Sequence, residues 1–370
     1  MKTIVCILFL AASLISCTNE KNTQYQWYKG NTHCHSTISD GDNPVKKVIK
    51  SYHDRGYNFL VVTDHNFLVD TDTVLYDEPL RNDFLLIQGE EVTDQKSVHT
   101  TALNISEYVR FSNDPNQEKD LQKRREEITT ALRTEVNISK SEILQMHVDG
   151  IRKAGGTPFL NHPNFADGLQ VEDIFAVTNL HHMELYNGHP YVYNWGKEEH
   201  ISVEAKWDSI LSRGHIMYGV AADDMHNLET RSEKDANPFR GWIMVKSKQL
   251  TPHAIQAAIN NGDFYSTTSV TLKTCEMNAK KCVIEVDPIT TMNEVKTSLS
   301  VPRIDETGEE GFLIEFIGQG GKVLAQKAGI KARYKLQATD RYVRSRITYC
   351  EKTESGYEKR FAWTQPVFMN

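Results

Sequence analysis

Residues 58–63 place Phe59, Leu60, Val61 and Val62 in unbroken succession and lead into Thr63, Asp64 and His65. A strand that is apolar at every position must be covered on both faces, as strands of a parallel α/β sheet are. Similar runs occupy residues 83–88, 157–160, 182–186 and 216–221. Helical patterns lie between them. Residues 44–55 space Val45, Val48, Ile49 and Tyr52 along one side before Gly56, and residues 143–153 and 207–213 stop before Gly155 and Gly214. Strands alternating with helices in this way indicate parallel βα units. In a chain of 370 residues, a barrel is expected over an open sheet.

The rhythm breaks twice. Within 113–140, residues 118–134 are dense in charge with a thin apolar stripe, which reads as a solvated helix inserted on the surface, or as a lid. After residue 270 the pattern turns to strand-like alternation at residues 282–286, 312–316 and 342–349, separated by turns such as 318–321. That predicts a small all-β, sandwich-like module over 271–370. Cys275 and Cys282 flank a candidate hairpin that an oxidising compartment could bridge.

The N-terminus is a targeting segment. Lys2 precedes an apolar run at residues 4–15, too short to span a bilayer as a helix. Leu14, Ile15, Ser16 and Cys17 then resemble the lipobox of bacterial lipoproteins. Cleavage there would leave a lipidated Cys17, followed by a tether over residues 18–27, and the expected location is periplasmic or outer-surface. An ordinary secretory signal is the alternative. Losing residues 1–16 removes only Lys2, so the net charge goes from −7 to −8. An acidic, exported chain is a poor candidate for nucleic-acid binding.

Chemistry gathers at the strand ends. His33 and His35 lie two apart on a strand and project to one face, with Cys34 turned away and Asp40 just beyond. The other clusters are Asp64 with His65, Glu90 with Glu91, His99, His162, and Asp224 with His226. In a barrel, strand C-termini surround one mouth, so clusters nearly 200 residues apart in sequence would converge. Imidazole and carboxylate donors suit zinc, manganese or iron.

This ordered set resembles the PHP (polymerase and histidinol phosphatase) family of metal-dependent hydrolases over residues 28–270. The resemblance implies a distorted (β/α)7 barrel holding two or three divalent ions. It assigns His33, His35, Glu90 and Asp224 to a first ion. Glu90 would bridge to a second ion bound by His99 and His162. A third would take Asp40, His65 and His226. It names Asp40, His65, Glu90 and Asp224 as catalytic. Histidine often stands at the Asp40 position in the family. Residues 241–245, 261–268 and 362–368 carry a finer resemblance to a secreted, carbaryl-hydrolase-like branch.

A site of this kind would use water acidified by the cations as nucleophile. Asp64 is expected to orient His65 or the backbone rather than bind an ion. Asn187 and His189 are candidate substrate contacts, and Arg231 and Arg240 candidate phosphate forks. Three functions remain open: a phosphoesterase acting on a small extracytoplasmic phosphate ester, a carbamate, amide or ester hydrolase on the same centre, and a non-catalytic surface binding lipoprotein. A basic, arginine-lined pocket would favour the first and an apolar pocket the second.

Overall fold

The computed structural model describes residues 24–71, 74, 84–115, 120–197, 200–299 and 301–369. The expected signal segment, the expected lipidation site Cys17 and most of the expected tether lie outside them. Among the described residues no helix is long and apolar enough to cross a membrane.

Strand β1 (Gln26–Asn31) leads through the site loop to α1 (Val45–Asp54), which buries Val45, Val48, Ile49 and Tyr52 as their spacing predicts. β2 (Phe59–Val61) and β3 (Leu85–Ile87) follow, and the three strands pair in parallel. β4 (Gly89–Thr93) and β5 (His99–Leu103) form an antiparallel hairpin absent from the sequence reading. After α2 (Leu121–Arg133) and α3 (Lys140–Lys153) come β6 (Thr157–Leu160), antiparallel to β5, then α4 (Val171–Phe175) and β7 (His182–Asn187). α5 (Val203–Ser212) leads to β8 (Tyr218–Ala222), and β6, β7 and β8 run parallel. β9 (Trp242–Ser247), α6 (Pro252–Asn260) and β10 (Phe264–Thr267) return to the first sheet, β9 antiparallel to β1 and β10 to β9.

The strands divide between an eleven-stranded, a five-stranded and a three-stranded sheet rather than closing into one ring. Reversed strands at β5 and β9 interrupt the parallel succession that a closed (β/α) barrel requires. The first two sheets meet where their parallel strands end. Single bridges join His65 to Glu91 and Cys34 to Met225, and the Asp224 amide donates to the His33 carbonyl (2.9 Å). Gly89 makes this approach possible, because a Cβ there would lie 2.5 Å from Val61 Cγ1 and 2.7 Å from the Ala102 carbonyl oxygen.

The C-terminal region comprises β11 (Leu272–Met277), β12 (Cys282–Val286), α7 (Pro288–Thr297), β13 (Arg303–Asp305), β14 (Gly311–Gly318), β15 (Lys322–Ala328), β16 (Lys331–Tyr334), β17 (Tyr342–Thr353), β18 (Gly356–Thr364) and β19 (Val367–Phe368). It is not all-β. Asp287 accepts the Thr290 amide (3.0 Å) and Pro288 sits at the first helical position, so α7 begins on an N-cap signal that the strand alternation around it obscured. β18 pairs with β10, so the large sheet runs through the boundary expected at residue 270. The sheet β11–β12–β16 shares one apolar core with β14, β17 and β18. Cys275 faces Ile284 and Cys282 faces Met277 across the β11–β12 ladder. That register sets the two thiols apart, and both are free.

A buried ion cluster fastens this region to α5. Arg344 grips Asp208 through Nε (2.8 Å) and Nη2 (2.7 Å), Nη2 also lies 2.8 Å from Glu204, and Tyr342 donates to Asp208 (2.8 Å). Removing the cation strands the buried Asp208 carboxylate, so Arg344→Leu should cost about 3–5 kcal/mol in urea unfolding. Adding Asp208→Leu should recover part of that loss, and a double variant no better than the single would sink the account.

His182 gives the fold a defined acid response. Buried against Phe159, it reaches the Ile259 carbonyl through Nε2 (3.2 Å), and burial pulls its pKa down to about 3. The unfolded chain therefore binds a proton the folded chain refuses, at pH values between its ordinary pKa and about 3. Stability should fall with pH in that window by up to about 1.4 kcal/mol per unit. The stability difference between the wild type and His182→Gln should drift with this sign as pH falls from 7 to 4.5. A constant difference would overturn it.

Candidate metal centre

Nine side chains from six strand ends converge at the seam between the two sheets, and Glu91 lies at their centre. Its Oε1 is 3.3 Å from His33 Nε2, His99 Nδ1 and His162 Nε2 alike, and its Oε2 is 2.7 Å from His65 Nδ1 and 3.6 Å from His35 Nε2. Asp224 Oδ1 lies 3.2 Å from His33 Nε2 and 3.1 Å from His35 Nε2. Asp40, half exposed at the rim, places Oδ2 3.4 Å from Nε2 of both His65 and His226. These donors form three groups: His35, Asp40, His65 and His226; His33, His35 and Asp224; and His65, Glu91 and His99. Within each group the donor atoms lie within 4.8 Å of one another.

Glu90 does not belong to this set. It lies on the opposite face of β4, where Oε1 accepts the Val109 amide (2.6 Å), and burial pushes its carboxyl pKa well up. Alternation along a strand sends Glu90 and Glu91 to opposite sides. Val92 shows which side is which: it joins the apolar cluster under α2 and α3, and Glu91 is out of phase with it. The alternation itself was readable in the sequence, whereas which of the two faces turns into the seam was not.

The donor set has the character of a cation site. His33 Nε2 and His35 Nε2 approach to 3.1 Å, both beside Asp224 Oδ1. Two ring nitrogens facing each other across carboxylate oxygens suit a positive charge between them. Burial by itself would neutralise Glu91 and Asp224, but the imidazoles around them outweigh it and hold both carboxyls well below the usual range. Burial likewise disfavours protonated His33 and His65, and the adjacent carboxylates reverse that shift. His35 is different: burial, then His226 and His65, pull it down to about 4. Asp224 (φ 51°) and His162 (φ 24°) adopt left-handed backbone at their strand ends, strain that concentrates where a site is held in place.

Partners beneath the cluster hold it in register. Asp64 points away from the donors and accepts from Ser36 N (2.8 Å), Ser36 Oγ (2.7 Å), Ser39 N (3.0 Å) and Ser39 Oγ (2.8 Å), gripping the loop that ends in Asp40. Asp223 accepts from Tyr52 and from the amides of Phe239, Arg240 and Gly241. Glu184, expected at the same mouth but without an assigned role, accepts from His33 Nδ1 (2.7 Å) and the His162 amide (2.7 Å). Asn187 donates to Glu184 (2.8 Å) and Asp224 (3.1 Å), which makes it a brace within the site.

Arg240 is not available as a phosphate fork: it is buried, with Nη1 on the Gly188 carbonyl (2.9 Å) and Nη2 on the Ser232 carbonyl (2.7 Å). Arg231 is exposed. His189 is half-buried beside His226, and its Nδ1 accepts the Tyr191 amide (3.3 Å). Phe165 packs edge-on against His162 and reaches His99 and His189. The inserted helix α2 is anchored rather than free in solvent. Arg124, Ile128 and Ala131 are buried, and Arg125 donates to the Thr37 and Ile38 carbonyls next to the Asp40 loop.

No family model and no curated protein matches this chain. Solved structures do resemble it. One is a two-domain protein from Bacteroides vulgatus containing a predicted PHP-like metal-dependent phosphoesterase, at 15% identity and TM-score 0.43, with 88% of this chain and 90% of that one covered. Another is a protein from Bifidobacterium adolescentis named as a metal-dependent phosphoesterase, at 15% identity and TM-score 0.37, with 53% and 87% covered. A third is an amidohydrolase from Chromobacterium violaceum, at 17% identity and TM-score 0.36, with 54% and 88% covered. Likenesses this distant carry no weight for function, which rests on the side chains.

Those side chains separate Glu91 from Glu90 experimentally. Glu91→Gln should lower the divalent metal retained after equilibrium dialysis by at least one ion per chain, measured by elemental analysis. Glu90→Gln changes a carboxyl that lies outside the donor groups and accepts the Val109 amide, and should retain the full complement. Equal behaviour of the two variants would sink the assignment.

Proposed function

We propose that this chain is a metal-dependent hydrolase, and that its substrate is a small phosphate ester. The observation that carries the reading is the buried Glu91 carboxylate ringed by five imidazoles, with Asp224 and Asp40 completing three donor groups. Those groups share His35 and His65, so they are neighbours, and an ester anion with several equivalent oxygens can engage more than one cation. Held there, divalent cations would supply an acidified water and positive charge for the transition state. Zinc, manganese and iron all suit this mixture of nitrogen and oxygen donors.

The protein's own residues do the remaining work. Asp40 is the carboxylate nearest solvent, and its imidazole neighbours overcome the effect of burial and keep it ionised at the rim. His189, drawn down to about 4 by burial first of all, is a neutral imidazole. Because its Nδ1 accepts the Tyr191 amide, its N–H is on Nε2 and can be offered as a hydrogen bond to a substrate oxygen.

Carbamate, amide or ester hydrolysis on the same centre is the second reading. It is favoured by the ring of Phe165 against His162 and His99, and by the commitment of Arg240 to carbonyl oxygens. The PHP family and its carbaryl-hydrolase-like branch are the family reading we attach to this site. Export as a lipoprotein through Cys17, with the membrane touched only by that anchor, belongs to the same proposal and rests on the N-terminal sequence.

Metal content and hydrolysis, measured on one preparation, test these readings. Two or more ions per chain are expected, with turnover of aryl phosphomonoesters or phosphodiesters that falls at least about a hundredfold on chelation or in His33→Ala. Turnover of carbamates alone would transfer the proposal to the second reading. A metal-free protein after incubation with zinc and manganese would overturn both.

A further inference from the structure

Glu184 makes contacts that the hydrolase reading does not require of it. Its carboxylate is buried, and Oε2 accepts from two groups that can only donate, the His162 amide (2.7 Å) and Asn187 Nδ2 (2.8 Å). Oε1 faces His33 Nδ1 at 2.7 Å. The opposite nitrogen of the same ring, Nε2, meets His35 Nε2 (3.1 Å), Asp224 Oδ1 (3.2 Å) and Glu91 Oε1 (3.3 Å).

We propose that Glu184 is the positioning residue that decides which nitrogen of His33 faces the donor cluster. A carboxylate can only accept, so His33 must carry its proton on Nδ1 to meet Glu184, which leaves the Nε2 lone pair aimed at the cluster. The same carboxylate holds the His162 amide at the strained strand end, where φ is 24°. Asn187 extends the hold to a third donor by bonding Glu184 and Asp224 Oδ2 (3.1 Å) at once. One buried acid on β7 therefore sets donors that arrive from β1, β6 and β8. This inference rests on the metal-centre reading for its purpose, but the tautomer it assigns belongs to the protein alone.

Glu184→Gln separates the two. A glutamine offers one acceptor oxygen, and the His162 amide and Asn187 both demand it. The amide NH2 is then left against His33 Nδ1, which accepts only if the ring proton moves to Nε2. Protein labelled with 15N-histidine, metal-free, reports the tautomer through long-range 1H–15N correlations, with the His33 signals assigned by their loss in His33→Asn. At a pH high enough for the His33 ring to be neutral, wild type should show Nδ1 protonated and Nε2 bare, and Glu184→Gln the reverse. Titration with zinc should then show affinity for one ion per chain reduced about 10–100-fold in the variant, the span typical of outer partners to metal-bound histidine. A neutral wild-type His33 protonated on Nε2 overturns the proposal even if the variant fails to fold. Unchanged zinc titration in a folded variant overturns it as well. A wild type with the expected tautomer that binds no zinc would leave Glu184 as the positioning residue and defeat the metal reading instead.

Discussion

Burying a carboxylate without surface exposure is unfavourable unless positive charge or strong donors surround it. Glu91 is such a group, and the architecture around the seam answers it. Five imidazoles reach it from β1, β2, β5 and β6 or the loops that follow them, so the strands must end at one depth for the ring to close. The absence of side chain at Gly89 lets β4 approach β2 and the His65–Glu91 bridge form. Without cations, imidazolium protons carry the balancing charge. With cations, those protons are displaced, which is how ligand protonation and metal binding compete.

A second tier of buried acids supports the first. Asp64 ties down the Ser36–Ser39 loop, Asp223 collects amides from the segment leading into β9, and Glu184 governs His33 and His162. Each spends its acceptors on donors that would otherwise be orphaned, so the loops carrying the site are as fixed as the strands they leave. The C-terminal strands add to that rigidity: β18 extends the sheet beyond β10, and Arg344 locks α5, which follows the loop bearing His189.

Much of this was legible in particular residues. The buried face of α1, the extent of β6 and the gathering of His33, His35, His65, His99, His162, Asp224 and His226 followed from apolar spacing and from strand ends sharing a mouth. The choice between Glu90 and Glu91 was missed because both are the same residue, adjacent, at a strand whose inward face depends on a pairing partner. Helix α7 was missed because the strand alternation on either side masked the Asp287 and Pro288 start signal. Arg240 looked like a free fork because its three carbonyl and amide partners lie up to 52 residues away in the chain.

Local chemistry by itself determined elements such as α1, β2 and β6, and that imidazoles and carboxylates cluster at strand ends, since both are properties of residue type and period. Only the tertiary structure decided that Glu91 sits at the centre, that Glu184 stands behind His33, that the sheets meet along a seam instead of closing into one ring, and that the C-terminal strands continue the first sheet. Those outcomes depend on which face of a strand turns inward and which distant backbone satisfies a buried donor. Both are settled by long-range pairing, to which the order of residues along one strand is blind.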